Sequence, residues 1–548
     1  LYGIKKLREL ILELAVRGLL VPQDPNDEPA SELLKKIAAE RAKLSKEGRI
    51  KKGKPLPSIA GGSKQLPPGW SWTCMAALGE ISPRNEAKDD VIASFVPMPL
   101  ISTRFDGRHD HESTTWAEIK KGYTHFADGD VAIAKITPCF ENSKAAIFSD
   151  LHNGVGAGTT ELHVVRPIGE FVSRSYLLLY LKSPPFLRVG ETKMTGSAGQ
   201  KRVPTEFFSF NPLPLPPLAE QHRIVAKVDE LMALCDQLEQ QTDASLGAHQ
   251  TLVETLLSAL TSAADHAQFA SAWQRIAGHF DTLFTTEESI AQLKQTILQL
   301  AVMGKLVPQD PNDEPVSELL KKIAAEKAKL VKEGKIKNTK QLLPIAEDEK
   351  PFKLPSGWAF CRLQELVSTL GDGLHGTPIY DNAGDYHFIN GNNLSNGDIL
   401  IKPDTRRVGQ TEYEKHRKEL NNSTVLVSIN GTIGNVAFFK GEQVILGKSA
   451  CYFNVLPGIE KLFIKRLIES PLFFHYAASQ ATGSTISNLG LKAMNAFPIP
   501  LPPTSEQVRI IAKLDELFAL CDQLNSRLNA AQTTQLHLAD ALVEQAIC

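Results

Sequence analysis

Residues 21–44 read VPQDPNDEPASELLKKIAAERAKL, and residues 307–330 read VPQDPNDEPVSELLKKIAAEKAKL, so that 22 of 24 positions are identical. A second pair, AEQHRIVAKVDELMALCDQL at 219–238 and SEQVRIIAKLDELFALCDQL at 505–524, keeps 15 of 20 positions at the same offset of 286 residues. Identity at this level over a fixed period indicates a duplication. The two copies therefore have the same internal length.

The stretches between the repeats, residues 71–195 and 359–481, have nothing obvious in common. Proline-rich phrases bracket each of them, and short β-branched runs such as DVAIAKI (130–136) and TVLVSIN (424–430) alternate inside them with Gly, Asn and Pro turns. We expect two mixed α/β domains of about 150 residues. The predicted boundaries are 1–65 for an N-terminal helical repeat segment, 66–217 and 352–503 for the two globular domains, 218–351 for a central region with a long helix and the second helical repeat segment, and 504–548 for a C-terminal long helix.

The globular stretches end in the proline-rich phrases PLPLPP (212–217) and PIPLPP (498–503). The segments after these closing prolines carry apolar residues at steps of three and four, a spacing typical of coiled-coil helices. The predicted pairing residues are Ile224, Val228, Leu231, Cys235 and Leu238 in the first copy and Ile510, Leu514, Leu517, Cys521 and Leu524 in the second. A helix from 218 to about 261 would span on the order of 65 Å. The expected fold class is α+β, with two globular mixed α/β domains joined by long antiparallel coiled-coil helices in a pseudo-twofold repeat.

The composition argues against several functional classes. The net charge of -2 is no sign of a nucleic-acid binder, and the two predicted domains carry 15 Lys and Arg against 16 Asp and Glu, and 14 against 12. Any DNA contact would therefore draw part of its phosphate binding from a partner. The seven cysteines form no CxxC pair and no HExxH motif occurs, so neither a disulfide framework nor a metal site is expected. The charged N-terminus fits neither a signal peptide nor a membrane span, which favours a cytoplasmic protein.

The architecture closely resembles the specificity subunit of type I restriction-modification systems. The resemblance is carried by VPQDPNDEPASELL and its repeat, GDVAIAKITPCFENSK (129–144), GTTELHVVRP (158–167), TGSAGQKRVP (195–204), LPLPPLAEQHRIVAKVDEL (213–231), GDGLHGTPIY (371–380), LVSINGTIGNVAF (426–438) and PIPLPPTSEQVRIIAKLDEL (498–517). It covers essentially the whole chain.

The resemblance implies a subunit without catalytic activity that reads an asymmetric, two-part DNA target. Each globular domain would be a target recognition domain for one half-site, and the paired helices would set the gap between the half-sites. The implied partners are double-stranded DNA, two adenine-N6 methyltransferase subunits and restriction or translocase subunits. S-adenosylmethionine, ATP and Mg²⁺ would bind those partners, and the target adenine would be flipped into the methyltransferase.

Candidate DNA contacts are polar residues on loops that flank the predicted strands, where their donors suit phosphates or base edges. In the first domain they are Lys135, Thr137, Asn142, Lys144, Thr159, Thr160, Lys201 and Arg202; in the second they are His375, Thr377, Asn390, Asn392, Asn393, Arg406, Arg407, Ser428, Asn430, Thr432, Ser484 and Ser487. A structural turn role is at least as good an interpretation for any one of them. We expect Arg202→Ala to weaken binding and to flatten its salt dependence.

Two other interpretations stay open at this point. A specificity subunit of a type IIB-like fused methyltransferase-nuclease would read DNA in the same way with a different enzyme. A coiled-coil scaffold with two protein-binding modules would not bind DNA, and the nearly neutral domains favour it.

Overall fold

The computed structural model describes residues 2–50, 56–57, 65–197, 199–482 and 487–547. The chain divides into two compact units, one formed by Leu1–Leu246 with Gln532–Cys548 and the other by Gly247–Ala531. Each unit contains one copy of the repeated segment and one globular domain. The domain boundaries expected from sequence stay a prediction.

The first unit begins with two helices, α1 (Tyr2–Arg17) and α2 (Ala30–Lys46). Its globular part, here called the first domain (residues 71–215), contains the following elements: β1 (Ser71–Thr73), α3 (Met75–Leu78), β2 (Gly79–Ile81), β3 (Ile92–Val96), β4 (Glu112–Thr115), α4 (Trp116–Ile119), β5 (Thr124–Ala127), β6 (Val131–Ala134), β7 (Ala145–Ile147), β8 (Val155–Gly158), β9 (Leu162–Pro167), α5 (Arg174–Lys182), α6 (Pro184–Lys193), α7 (Thr205–Phe210) and β10 (Leu213–Leu215). The long helix α8 (Leu218–Ser262) starts directly after the closing prolines.

Three sheets organise the first domain. The short strands β1 and β10 pair antiparallel and bring the two ends of the domain together. One four-stranded sheet has the order β2-β9-β6-β7 and the other has the order β4-β3-β8-β5. The strands are hydrophobic on the faces between the two sheets, where Phe126, Phe148 and Val164 are fully buried.

The second unit contains the following elements: α9 (His266–Gly278), α10 (Phe280–Leu283), α11 (Glu287–Val302), α12 (Val316–Lys332), β11 (Ala359–Arg362), α13 (Leu363–Leu366), β12 (Val367–Asp372), β13 (Tyr386–Ile389), β14 (Leu394–Ser395), β15 (Asp398–Ile399), β16 (Arg407–Val408), α14 (Gln410–His416), β17 (Thr424–Ser428), β18 (Val436–Phe438), β19 (Val444–Leu446), β20 (Ala450–Val455), α15 (Lys461–Ile468), α16 (Pro471–Gln480), α17 (Leu491–Ala496), β21 (Pro498–Leu501) and the first part of α18 (Thr504–Ile547). The part of α18 from Gln532 onward belongs to the first unit, and the part of α8 from Gly247 onward belongs to the second. Residues 359–501 are here called the second domain.

The two domains share a topology although their sequences differ. The strand order β12-β20-β17-β18 in the second domain corresponds to β2-β9-β6-β7 in the first. In both domains a further sheet contains one parallel pair, β3 with β8 and β13 with β19, beside an antiparallel neighbour. The strands β11 and β21 close the second domain as β1 and β10 close the first. The duplication therefore includes the domains as well as the repeats around them.

The proline-rich segment VPQDPNDEP occurs at 21–29 and at 307–315, here called the first and second connectors. Each connector is bonded to the start of a long helix by the same contacts. The Gln23 amide donates to the carbonyl of Gly18 at 2.7 Å and to Glu220 at 3.2 Å, and the Trp70 indole donates to the other oxygen of Glu220 at 3.0 Å. Arg223 pairs with Asp27 at 2.7 Å. These contacts explain why the connector is nearly identical in the two copies.

The second copy repeats this arrangement residue by residue. Gln309 donates to Glu506 at 3.1 Å, Trp358 donates to Glu506 at 2.9 Å, and Arg509 pairs with Asp313 at 2.5 Å. Glu220 and Glu506 are both 1% exposed. A buried carboxylate that accepts from an indole and an amide fixes the angle at which the chain enters the long helix.

Most of the predicted pairing residues of the long helices lie in or against the hydrophobic cores of their own units. Ile224, Val228 and Cys235 are buried in a cluster that includes Ile11, Leu12, Ala15 and Val16 of α1, and Leu231 packs against its edge. Ile510, Leu514 and Cys521 are buried in the second core, with Leu517 and Leu524 partly buried beside it. Leu238 is exposed. Pairing of α8 with α18 through these residues stays a prediction. None of the helices that the structure describes combines the length and apolar character that a membrane crossing requires.

Candidate nucleic-acid interface

Three loop segments of the first domain meet beyond the end of β6 and are joined by backbone hydrogen bonds. The N–H of Lys135 donates to the carbonyl of Glu161 at 2.9 Å, and the N–H of Val203 donates to the carbonyl of Lys135 at 2.8 Å. The N–H of Thr137 donates to the carbonyl of Lys201 at 3.0 Å. Residues 135–137, 161 and 201–203 are here called the first loop cluster.

The second domain contains the same cluster with the same bonds. The N–H of Ile429 donates to the carbonyl of Ser449 at 3.0 Å, and the N–H of Leu489 donates to Ile429 at 2.8 Å. The N–H of Gly431 donates to the carbonyl of Ser487 at 3.0 Å. Residues 429–431, 449 and 487–489 are here called the second loop cluster. By these bonds Lys135 corresponds to Ile429, Glu161 to Ser449 and Val203 to Leu489.

The side chains at equivalent positions of the two clusters differ in chemistry. Thr160 corresponds to Lys448, Lys201 corresponds to Ser487 and Arg202 corresponds to Asn488, and all six are exposed or half-buried. One backbone scaffold thus presents two different sets of donors and acceptors. Hydrogen-bonding side chains of this kind can distinguish base pairs in a DNA groove.

Five of the residues predicted in the first domain lie in or directly beside the first loop cluster: Lys135, Thr137, Thr160, Lys201 and Arg202. The Thr137 hydroxyl donates to Glu141 at 2.8 Å. Lys201 and Thr160 are exposed.

The remaining first-domain candidates have different surroundings. The Thr159 hydroxyl accepts from the N–H of Glu161 at 3.2 Å, as in a turn. The Lys144 ammonium donates to the carbonyl of Met98 at 2.9 Å, which is a structural contact. Asn142 is exposed on the loop that follows β6. The DNA contacts of all eight first-domain residues stay predictions.

In the second domain, the loop cluster continues into two neighbouring loops that contain predicted residues. The N–H of Lys448 donates to the carbonyl of Leu374, next to His375, at 3.0 Å. The Ser449 hydroxyl donates to Asn390 at 3.0 Å and accepts from the N–H of Gly391 at 2.9 Å. His375, Asn390, Asn430 and Ser487 are thereby brought to one surface. The exposed residues Thr377, Asn392 and Thr432 lie in the same loops.

The side chains of other second-domain candidates take part in contacts within the domain or lie outside the loop cluster. Ser428 is fully buried and accepts from the N–H of Asn435 at 2.8 Å. The Asn393 side chain is 5% exposed, and it caps a turn by accepting from the N–H of Asn390 and donating to the carbonyl of Leu400. Arg406 lies over the Tyr380 ring at 5.4 Å, and Arg407 is exposed on β16. Ser484 lies outside the described residues.

Sequence reasoning missed Glu161, Lys448, Ser449 and Asn488, which the structure places in or beside the loop clusters. Glu161 forms two bonds with the Arg202 guanidinium, Nε to Oε2 and Nη2 to Oε1, both at 2.9 Å. Arg202 lowers the pKa of Glu161 through this contact, and Glu161 raises the pKa of Arg202. The partner of Arg202 is 41 residues away in the chain, so no local pattern indicated the pair.

A buried histidine is bonded to the backbone of the first loop cluster. His163 on β9 is 3% exposed, and its Nε2 lies 2.9 Å from the carbonyl of Val203. Its ring stacks on Phe208 with centroids 5.0 Å apart. Burial lowers the pKa of His163 to about 4, so the ring is neutral at physiological pH and Nε2–H donates to Val203. Among the described residues, no group of three or more His, Cys, Asp or Glu is placed to hold a metal ion.

Comparison with known proteins identifies the family. The profile of the type I restriction modification DNA specificity domain matches residues 98–247 and 355–531. The whole chain is 52% identical to the type I restriction enzyme EcoAI specificity subunit and 51% identical to the EcoEI specificity subunit, both of Escherichia coli, and it covers 94% of each. A crystal structure of the HsdS subunit from Thermoanaerobacter tengcongensis aligns with 89% of this chain and 98% of that chain, at 18% identity and a TM-score of 0.41. The family profile and the two Escherichia coli relatives show that the chain belongs to the family of type I restriction-modification specificity subunits.

Proposed function

We propose that this specificity subunit reads a bipartite, asymmetric DNA target and directs adenine-N6 methylation, and restriction, by partner subunits. Each globular domain reads one half-site through its loop cluster. The long helices α8 and α18 set the number of unread base pairs between the half-sites, because an α-helix fixes distance at about 1.5 Å per residue.

The observation that carries this proposal is the pair of loop clusters. The three backbone hydrogen bonds recur in both domains, while the exposed residues at equivalent positions change from Thr160, Lys201 and Arg202 to Lys448, Ser487 and Asn488. A duplicated backbone scaffold that carries different side chains supports the recognition of two different DNA sequences, one by each domain. That arrangement supports an asymmetric, two-part target.

The chemistry of methylation and cleavage belongs to other subunits in this proposal. Two methyltransferase subunits hold S-adenosylmethionine and receive the flipped adenine, and restriction subunits use ATP and Mg²⁺. The first and second domains carry almost no net charge, so the partners supply much of the phosphate contact on which affinity depends.

The test is to co-express the chain with the methyltransferase encoded beside it in a methylation-free host and to map N6-methyladenine by long-read sequencing. The expected result is a split, asymmetric motif that disappears when this chain is omitted. An assembled, soluble complex that adds no methylation contradicts the proposal and favours the scaffold. A motif produced with a partner that is a fused methyltransferase-nuclease assigns the chain to a type IIB-like system.

A further inference from the structure

Arg202 occupies a fixed place in the first loop cluster. Its N–H donates to the carbonyl of Thr195 at 2.8 Å, and its carbonyl accepts from the N–H of Thr195 at 3.0 Å. Asn488 forms the same reciprocal pair with Thr482, at 2.9 and 3.0 Å. Positions 202 and 488 are therefore equivalent in backbone, and only the side chains they present differ.

The Arg202 guanidinium is oriented by hydrogen bonds, but some of its N–H groups have no partner in them. A guanidinium has five N–H groups. Nε and Nη2 each donate one to Glu161, and Nη1 donates one to the carbonyl of Gln200 at 3.0 Å. Two N–H groups remain, one on each terminal nitrogen. The side chain is 43% exposed whereas that of Glu161 is 22% exposed, so the guanidinium is the more accessible member of the pair.

The ion pair is not required to hold the loops together. The second loop cluster keeps all three backbone bonds with Ser449 in place of Glu161 and Asn488 in place of Arg202. The Ser449 hydroxyl bonds Asn390, while the Asn488 side chain accepts from Asn430 at 3.4 Å. Because the scaffold forms without this charge pair, the pair serves the orientation of Arg202.

We propose that Arg202 reads a guanine in the half-site of the first domain and that Glu161 is the residue that positions it. The two remaining N–H groups, one on each terminal nitrogen, suit the O6 and N7 acceptors of guanine in the major groove. Asn488, at the equivalent position, carries the amide that matches N6 and N7 of adenine, and it reads a base in the other half-site. This inference rests on the proposed function.

The inference changes the expected effect of Arg202→Ala. A residue that contacts a base governs sequence preference, whereas a residue that contacts a phosphate governs affinity and its salt dependence, so the loss of Arg202 should alter the sequence preference most. Arg174 also pairs with a glutamate, Glu170 at 3.0 Å, but it donates to the carbonyl of Gly129 at the opposite end of β6 from the loop cluster. Arg174→Ala is therefore the matched control for the loss of a paired arginine.

The experiment maps N6-methyladenine motifs for the complex with wild-type chain, Arg202→Ala, Arg202→Lys, Glu161→Gln and Arg174→Ala. Arg202→Ala and Arg202→Lys should relax one guanine position in one half-site, and Glu161→Gln should relax the same position to a lesser degree. Arg174→Ala should leave the motif unchanged. Asn488→Ala should relax a position in the opposite half-site only.

Purified complexes keep the test decisive when a variant methylates too slowly for mapping. The wild-type complex should bind its target roughly 5-fold to 150-fold more tightly than a duplex in which that guanine is replaced by another base. Arg202→Ala should bring this ratio close to one, and a uniform loss that keeps the ratio overturns the inference. An unchanged motif in both Arg202 variants also overturns it while leaving the proposed function intact. A wild-type complex without any motif would instead contradict the proposed function.

Discussion

The first domain should lose stability on mild acidification, and the second domain provides the control within the same chain. In the unfolded chain His163 takes up a proton near its ordinary pKa of about 6.5, whereas in the folded chain burial lowers that pKa to about 4. Between these values the unfolded state binds more protons, so stability falls as the pH falls. The stabilising contribution of the neutral ring is complete above about pH 6.5 and is lost toward pH 4.

The size of the effect follows from the two pKa values. A tenfold difference in proton affinity corresponds to about 1.4 kcal/mol, so the loss is about 2 kcal/mol at pH 5 and approaches about 3 kcal/mol at pH 4. The strand partner of His163 is Ile133, and the equivalent strand pair in the second domain is Cys451 with Val427. Burial raises the pKa of Cys451, so the thiol stays protonated throughout this range. The second domain has no corresponding loss at that position.

Hydrogen exchange under increasing urea, followed by mass spectrometry, separates the two domains in one sample. Peptides covering β9 (Leu162–Pro167) should show an opening free energy lower by about 2 kcal/mol at pH 5 than at pH 7. Peptides covering β20 (Ala450–Val455) should change less. His163→Cys installs the second-domain residue, and it should lower stability at pH 7 but remove most of the difference between the two pH values. Equal pH dependence of β9 and β20, or a full pH effect in His163→Cys, would refute this reasoning.

Three further perturbations are expected to give specific results. Lys201→Ala should lower the slope of log affinity against log salt concentration by about 1, which a salt series on the assembled complex measures; an unchanged slope removes Lys201 from the phosphate contacts. Glu220→Leu leaves the Trp70 indole without its acceptor and should cost about 2 kcal/mol, seen as faster exchange in the first connector but not in the second; equal exchange in both copies argues against the anchoring role. Four residues added in α8 near Gln240 should lengthen the recognised gap or abolish recognition, and methylation of the original site with its original gap argues against the spacer role.

The fold could be predicted from the sequence wherever the repeat itself carried the information. The equal offsets of the repeats predicted two copies of one frame, and the heptad spacing predicted both long helices. The spacing does not specify which surface covers an apolar stripe. Ile224, Val228 and Cys235 are accordingly found against α1 and the first domain, a neighbour that helical periodicity alone cannot identify.

The common topology of the two domains could not be predicted because it depends on backbone bonds. Equivalent positions drift along the chain, since Ile429 lies 294 residues after Lys135 whereas Leu489 lies 286 residues after Val203. Loops of different length therefore hide the correspondence from any fixed-offset comparison. The polar loop residues could be proposed from the chemistry of their side chains. The pairing of Arg202 with Glu161 could not, because the two residues are 41 positions apart in the chain and only the fold brings them together.

The central claim, that two independent reading domains are held on one frame, is tested most directly by exchanging one domain. The pairing of β1 with β10 marks residues 71–215 as the segment to replace, with the corresponding segment of a relative that reads a different target. Long-read maps of N6-methyladenine from the assembled complex should then show a motif with one half changed, the other half retained and the gap the same. A motif in which both halves change, or in which neither does, would contradict the claim.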